Sequence, residues 1–191
     1  MSGLQALDPR IERSRQRVLE AALAELGAAG YGAFAIERVA ARSGVAKSTI
    51  YRHWPGKLPL VADAFGAFHR QQAPDISSGT PRERLARIVR HVAETVAGPP
   101  FSACIPALIE AAERDPQLRA FHLRFQAEAR RPLVAVIGEV LAEANSTADA
   151  DQLASALLGA IFYARLMTAA PFDPARADDL ISAVLGASRA E

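Results

Sequence analysis

Apolar positions along the chain recur every three or four residues, the spacing that lines one face of a helix. In the first segment they are Ile11, Val18, Leu19, Ala22, Leu23 and Leu26. Asp8 and Pro9 ahead of them read as an N-cap with proline at the first helical position. Gly27 and Gly30 are expected to close this helix before a connector, "GYGAF". Ile36, Val39 and Ala40 share one face of a short second helix, Ile36 to Ser43, which Gly44 stops. A third helix runs from Lys47 to Trp54 and ends at Pro55-Gly56. A fourth covers Leu58 to Gln72, with Leu60, Val61, Ala64, Phe65 and Phe68 apolar.

Past the loop "APDISSGTP", Thr80, Pro81 and Glu83 spell a capping box, which opens a fifth helix reaching about Val96. "AGPP" breaks it. A sixth covers roughly Ser102 to Arg114, with Pro106 in its first turns, where proline is tolerated. A seventh starts at Asp115-Pro116, and Pro132 inside it predicts a kink or break near Arg130. "ANSTADAD" separates it from an eighth, about Ala148 to Ala169, and "APFDP" precedes a ninth, about Pro174 to Gly186. No strand alternation of useful length interrupts the series. The pattern predicts an all-α protein: an N-terminal three-helix helix-turn-helix head joined to a larger C-terminal helical bundle, about nine helices in all. The expected division is residues 1–56 for the head and 57–191 for the bundle.

Composition narrows the classes. Half of the 191 residues are hydrophobic, enough for a sizeable core. Cys104 is the single cysteine, so no disulfide can form within the chain, which suits a reducing compartment. The first residues are polar and charged, unlike a secretory leader, and no run of about 18 apolar residues suggests a membrane span. A cytoplasmic protein with no membrane partner is expected. Net charge is +1, but residues 1–70 hold 10 Lys+Arg against 6 Asp+Glu, and residues 71–191 hold 12 against 15. A basic head on an acidic body fits an anion-facing head.

The third helix gives that head its chemistry. Gly44 can take positive φ where the second helix must stop, and Val45 can plug the gap between the two helices. Ile50 and Trp54 lie four apart and can pack inward on Val39. That turns Lys47, Ser48, Arg52 and Thr49 outward, on a helix that fits a major groove of double-stranded DNA. Tyr51, His53 and Lys57 fall where phosphates would lie, with Lys57 at the start of the fourth helix, whose free N–H groups attract an anion. The bland alternative is a solvated basic helix, with Tyr51 as core. Gly44, the aromatic positions and the terminal lysine all falling in register favour the groove.

"IERVAARSGVAKSTIYRHWPGK" resembles the DNA-binding segment of the TetR family of transcriptional regulators, and "RVLEAALAELGAAGYGAFAIERVA" resembles that family's first helix and its glycine-bearing connector. More weakly, "FYARLMTAAPFDPARADDLISAVL" is similar to the C-terminal helices of one subgroup. Carried over by position, the resemblance makes Lys47, Ser48 and Arg52 groove-facing, and Thr49, Tyr51, His53 and Lys57 phosphate contacts. There are departures. Ala35 stands where a threonine usually opens the second helix, and Ala46 where a serine or threonine often opens the third. Ser48 stands where glycine is common.

The resemblance also implies a cavity for a largely apolar small-molecule effector. Phe65, Phe101, Cys104, Leu108, Phe121, Phe125, Phe162, Tyr163 and Met167 are its candidate lining, against ordinary core as the alternative for each. Arg165, a charge amid "FYARLM", must be paired, exposed or used. The eighth and ninth helices carry apolar residues on more than one face, so one face is left to cover. Leu157, Ile161, Ile181, Val184 and Leu185 are the candidate homodimer contacts, with small residues at Ala154, Gly159 and Ala160 allowing close approach.

His69, His91, His122 and Cys104 show no metal-ligand spacing, and no catalytic constellation or phosphate-cradling glycine loop is present, so neither metal, cofactor nor enzymatic activity is expected. The chain should be a ligand-responsive repressor released from a palindromic operator by a small molecule. The alternatives are a helical protein-interaction module or an all-α enzyme without DNA binding.

Overall fold

A computed structural model of the chain describes residues 9–187. The described helices are α1 (Pro9–Ala33), α2 (Ile36–Ser43), α3 (Lys47–His53), α4 (Lys57–Gln72), α5 (Pro81–Ala97), α6 (Phe101–Arg114), α7 (Pro116–Glu143), α8 (Ala150–Met167) and α9 (Ala177–Ala187), with a 3-10 turn at Pro174–Arg176 ahead of α9. No strand occurs among the described residues. The expected all-α architecture is observed. The Asp8 cap lies outside the described residues.

The chain forms two compact units: Met1–Gln71 with Ala103–His122, and Gln72–Ser102 with Leu123–Glu191. The first therefore takes in α4 and most of α6, beyond the expected boundary at residue 56. Its core gathers Val18, Leu19, Leu23 and Leu26 of α1, Ile36 and Val39 of α2, and Ile50 of α3, all buried. Leu60 and Phe65 of α4 are buried as well, with the Phe121 ring edge-on to Phe65 at 6.3 Å between centroids. The second unit packs α5 against α8 and α9, burying Leu85, Val89, Leu157, Ile161 and Ile181. Leu133, Val136 and Ile137 give α7 its buried side, and Arg84 of α5 pairs with Glu139 there.

Two glycines behave differently from each other and from expectation. The first helix does not stop at Gly27; it runs on to Ala33. A Cβ at Gly27 would stand 3.0 Å from the Ala103 Cβ, so the missing side chain lets α1 and α6 approach closely. Gly30 is the true irregularity, with φ 71° and ψ 168°, a conformation glycine adopts at little cost. "GYGAF" is thus largely the last turn of a kinked helix rather than a connector.

Of the kink or break expected near Arg130, a break does not occur: α7 remains helical through Pro132. Proline withholds one hydrogen bond from the carbonyl four residues earlier. Here that residue, Glu128, is exposed, as is Pro132 itself, so water can satisfy the freed oxygen. The capping box is present: the Thr80 hydroxyl accepts from the Glu83 N–H at 3.3 Å, and the Glu83 carboxylate accepts from the Thr80 N–H at 2.8 Å.

Candidate nucleic-acid interface

The helix-turn-helix is built around a left-handed residue. Gly44 has φ 68° and ψ 18°, and its N–H donates to the Ala40 carbonyl at 3.0 Å, closing α2. Ser43 is buried, and its hydroxyl accepts from the Val45 N–H at 3.3 Å, fixing the turn from inside. Ile50 and Trp54 then face the core as their spacing predicts. Trp54 follows α3 as its C-cap, and its indole N–H donates to Asp63 Oδ2 of α4 at 3.0 Å. Arg15 of α1 reaches the same oxygen at 2.5 Å. One carboxylate thereby ties the end of α3 to α1 and α4.

A second carboxylate, this one buried, holds α2. Glu25 of α1 is only 2% exposed and accepts from Arg38 Nε at 2.5 Å, with Arg42 Nη2 at 4.0 Å. Arg38 also donates to the Ala33 carbonyl. A buried charge survives only when paired and hydrogen-bonded, which Glu25 is. Sequence reasoning passed over both Glu25 and Asp63, whose arginine partners Arg38 and Arg15 lie 13 and 48 residues away along the chain.

With the inner face so fixed, Lys47, Ser48, Tyr51, Arg52 and His53 are exposed on α3, and Thr49 is half-buried. Lys57 is exposed at the first position of α4, its ammonium 3.5 Å from the Gly32 carbonyl. All seven candidate DNA contacts lie on α3 or at the first position of α4, within the first unit. The His53 ring leans on Trp54 at 5.7 Å between centroids, and Lys47 Nζ lies 5.6 Å from the Tyr51 ring centre. Lys47 also pairs with Glu37 of α2. That bond draws the Glu37 carboxyl below its usual range and raises the Lys47 ammonium, so both stay charged near neutrality. Beside α3 an open cleft of about 500 Å³ joins Thr49, Arg52 and His53 to Arg10, Ser14 and Arg15 of α1. Neither α2 nor α3 has a side-chain cap, since Ala35 and Ala46 hold the N-cap positions.

The candidate effector residues fall into two groups. Phe65, Cys104, Leu108 and Phe121 are buried in the first unit. The Cys104 thiol donates to the Leu23 carbonyl at 3.1 Å, and burial pushes its pKa up to about 11. Phe101, Phe125, Phe162, Tyr163 and Met167 belong to the second unit. Phe101 is buried and Phe125 and Phe162 are half-buried, whereas Tyr163 and Met167 are 63% and 70% exposed. Arg165 is half-buried and donates to the Ser102 carbonyl, at the start of α6, at 2.9 Å.

The candidate dimer residues need correcting. Leu157, Ile161 and Ile181 are at most 1% exposed, and Leu185 is buried too, so they fill the chain's own bundle and cannot meet a partner. Ala154 is likewise interior. Val184 alone of the five is partly open. The outward stripe of α8 is instead Ala156, Gly159, Tyr163, Leu166 and Met167.

Two family models match the chain: "Bacterial regulatory proteins, tetR family" over residues 18–64, and "Tetracyclin repressor-like, C-terminal domain" over residues 74–184. An uncharacterized HTH-type transcriptional regulator of Mycobacterium tuberculosis is 33% identical over 133 residues, 68% of this chain and 62% of the relative's own length. The HTH-type transcriptional repressor KstR of Mycolicibacterium smegmatis is 40% identical over 76 residues, 37% of each chain. The fold is similar to that of the transcriptional regulator FadR from Bacillus subtilis, solved with stearoyl-CoA (TM-score 0.72, 20% identity, 88% of this chain and 96% of that one). It is also similar to AibR, solved with isovaleryl coenzyme A and operator DNA (TM-score 0.66, 18% identity, 89% and 97% covered).

Proposed function

The chain belongs to the TetR family of bacterial regulatory proteins, and from that premise we propose that it represses transcription by holding an operator with α2 and α3 until a small molecule releases it. The observation that carries this reading is the two-sidedness of α3. Ile50 and the capping Trp54 are locked inward, and Lys47, Ser48, Tyr51, Arg52 and His53 are all left outward on one short helix. Such a helix reads base edges with its groove-facing groups, while flanking cations and hydroxyls hold phosphates. The repressor named among its relatives supports the sign of regulation. A protein that reads chromosomal DNA works in the cytoplasm, and this work is binding, with no covalent step.

The effector we propose is an amphiphile with an apolar body, of the acyl-CoA class. Its support is the apolar character of the candidate residues and the acyl-CoA ligands carried by two proteins of like fold. Release follows if the effector binds better to the conformation that does not fit the operator.

Fluorescence anisotropy with a labelled operator duplex, titrated at several salt concentrations, tests the DNA reading. Arg52→Ala should cost roughly 1–3 kcal/mol on the preferred site and relax its sequence choice. Lys57→Ala should weaken all duplexes alike and flatten the salt dependence, because each lost phosphate contact removes about one released counterion. Unaltered specific binding in both variants would remove α3 as the reader. Adding a long-chain acyl-CoA should release the duplex; retention of full binding at saturating acyl-CoA would exclude that effector class.

A further inference from the structure

The surface that faces DNA carries an acid at its edge. Glu37 sits in the first turn of α2, Lys47 opens α3, and the turn at Gly44 brings the two together as an ion pair. The side chains are 54% and 53% exposed, so the pair is presented to solvent rather than consumed in the core. The other charges of α2, Arg38 and Arg42, turn instead to the buried Glu25. Core packing therefore does not require Glu37. A carboxylate here repels phosphates and cancels the nearest cation, which weakens sequence-independent binding.

The same pair is complementary to one base-pair edge. In the major groove guanine offers only acceptors, O6 and N7, and cytosine offers a donor, the N4 amino group. An ammonium beside a carboxylate satisfies both. Thymine sets an acceptor and a methyl group where the carboxylate needs a donor, leaving a charge without a partner. We propose that Glu37 and Lys47 act as one unit that reads a single G·C pair in each half-site, Lys47 donating to guanine and Glu37 accepting from cytosine N4. The inference rests on the DNA-binding reading above and adds to it a specificity-determining residue on α2.

Selection from a random duplex library, followed by anisotropy on single-base variants, tests the idea with the full chain, Glu37→Ala and Lys47→Ala. Wild type should enrich a site with a fixed G·C pair in each half and discriminate against A·T there on the order of tenfold or more. Both variants should lose that preference at the same position and keep the rest of the site. Glu37→Ala should also bind random-sequence duplex more tightly than wild type. Circular dichroism checks folding, which an exposed position should leave intact. If Glu37→Ala keeps the same base at every position, or if the two variants relax different positions, the paired readout is wrong although the DNA-binding reading stands. Enrichment of no sequence by wild type would overturn both.

Discussion

Cys104 shows how burial decides the chemistry of a residue. Its thiol is fully enclosed, bonded to the Leu23 carbonyl, and its pKa is pushed up to about 11. Thiolate is the reactive form, so almost none exists near neutral pH. The native protein should not react with Ellman's reagent at pH 7.5 and should release one equivalent once unfolded; rapid native labelling would contradict the enclosed position. Ala46 shows the opposite case, a place where chemistry is missing. Its backbone has the extended ψ of a cap, 136°, but no side-chain oxygen to receive an N–H of α3. Ala46→Ser should therefore stabilise the protein by about 1 kcal/mol, read as a shift in urea midpoint at constant slope. Residues of this kind were legible because caps act within four positions. Glu25 was not legible. A glutamate in an apolar helix reads as an exposed charge until the fold brings Arg38 and Arg42 to it.

At the scale of elements, local punctuation was dependable where its partners are local. The Thr80–Glu83 box needs only one turn of chain, and the helix opens there. Thr80→Ala should cost about 1 kcal/mol, measured by chemical unfolding. Gly44 likewise ended α2 as its neighbours require. Gly27 and Pro132 misled because the same residue types serve other ends. Gly27 makes room for Ala103 on a helix distant in sequence, and Pro132 lies where water can replace its missing bond. Since α7 stays helical through Pro132, Pro132→Ala should restore a hydrogen bond within that helix. The gain should be up to about 3 kcal/mol, offset in part by greater freedom of the unfolded chain. A loss of stability on that substitution would mean that α7 depends on the proline.

At the scale of the whole molecule, the outward face of α8 is the feature a single chain leaves unfinished. Helix α8 is apolar almost all round, so periodicity could not tell which side meets α5 and α9 and which stays open. Packing settles it: Ala154, Leu157 and Ile161 go inward, leaving Ala156, Gly159, Tyr163, Leu166 and Met167 outward, with Val184 of α9 partly open. Exposed side chains as large as Tyr163, Leu166 and Met167 on one stripe favour burial against another surface. A second copy would cover it most simply, because a two-fold axis makes one patch its own complement. Gly159, which has nothing within 4 Å of its absent side chain, allows the helices to come close. A palindromic operator would require such a pair, with the two reading helices about 34–36 Å apart along the duplex. Gly159→Glu with Met167→Glu should give a folded monomer by sedimentation, with operator binding much weakened and circular dichroism unchanged. Leu157→Glu should behave differently and unfold the chain, since that position is core. A wild-type monomer at micromolar concentration would defeat the dimer proposal, and the palindromic operator would fall with it.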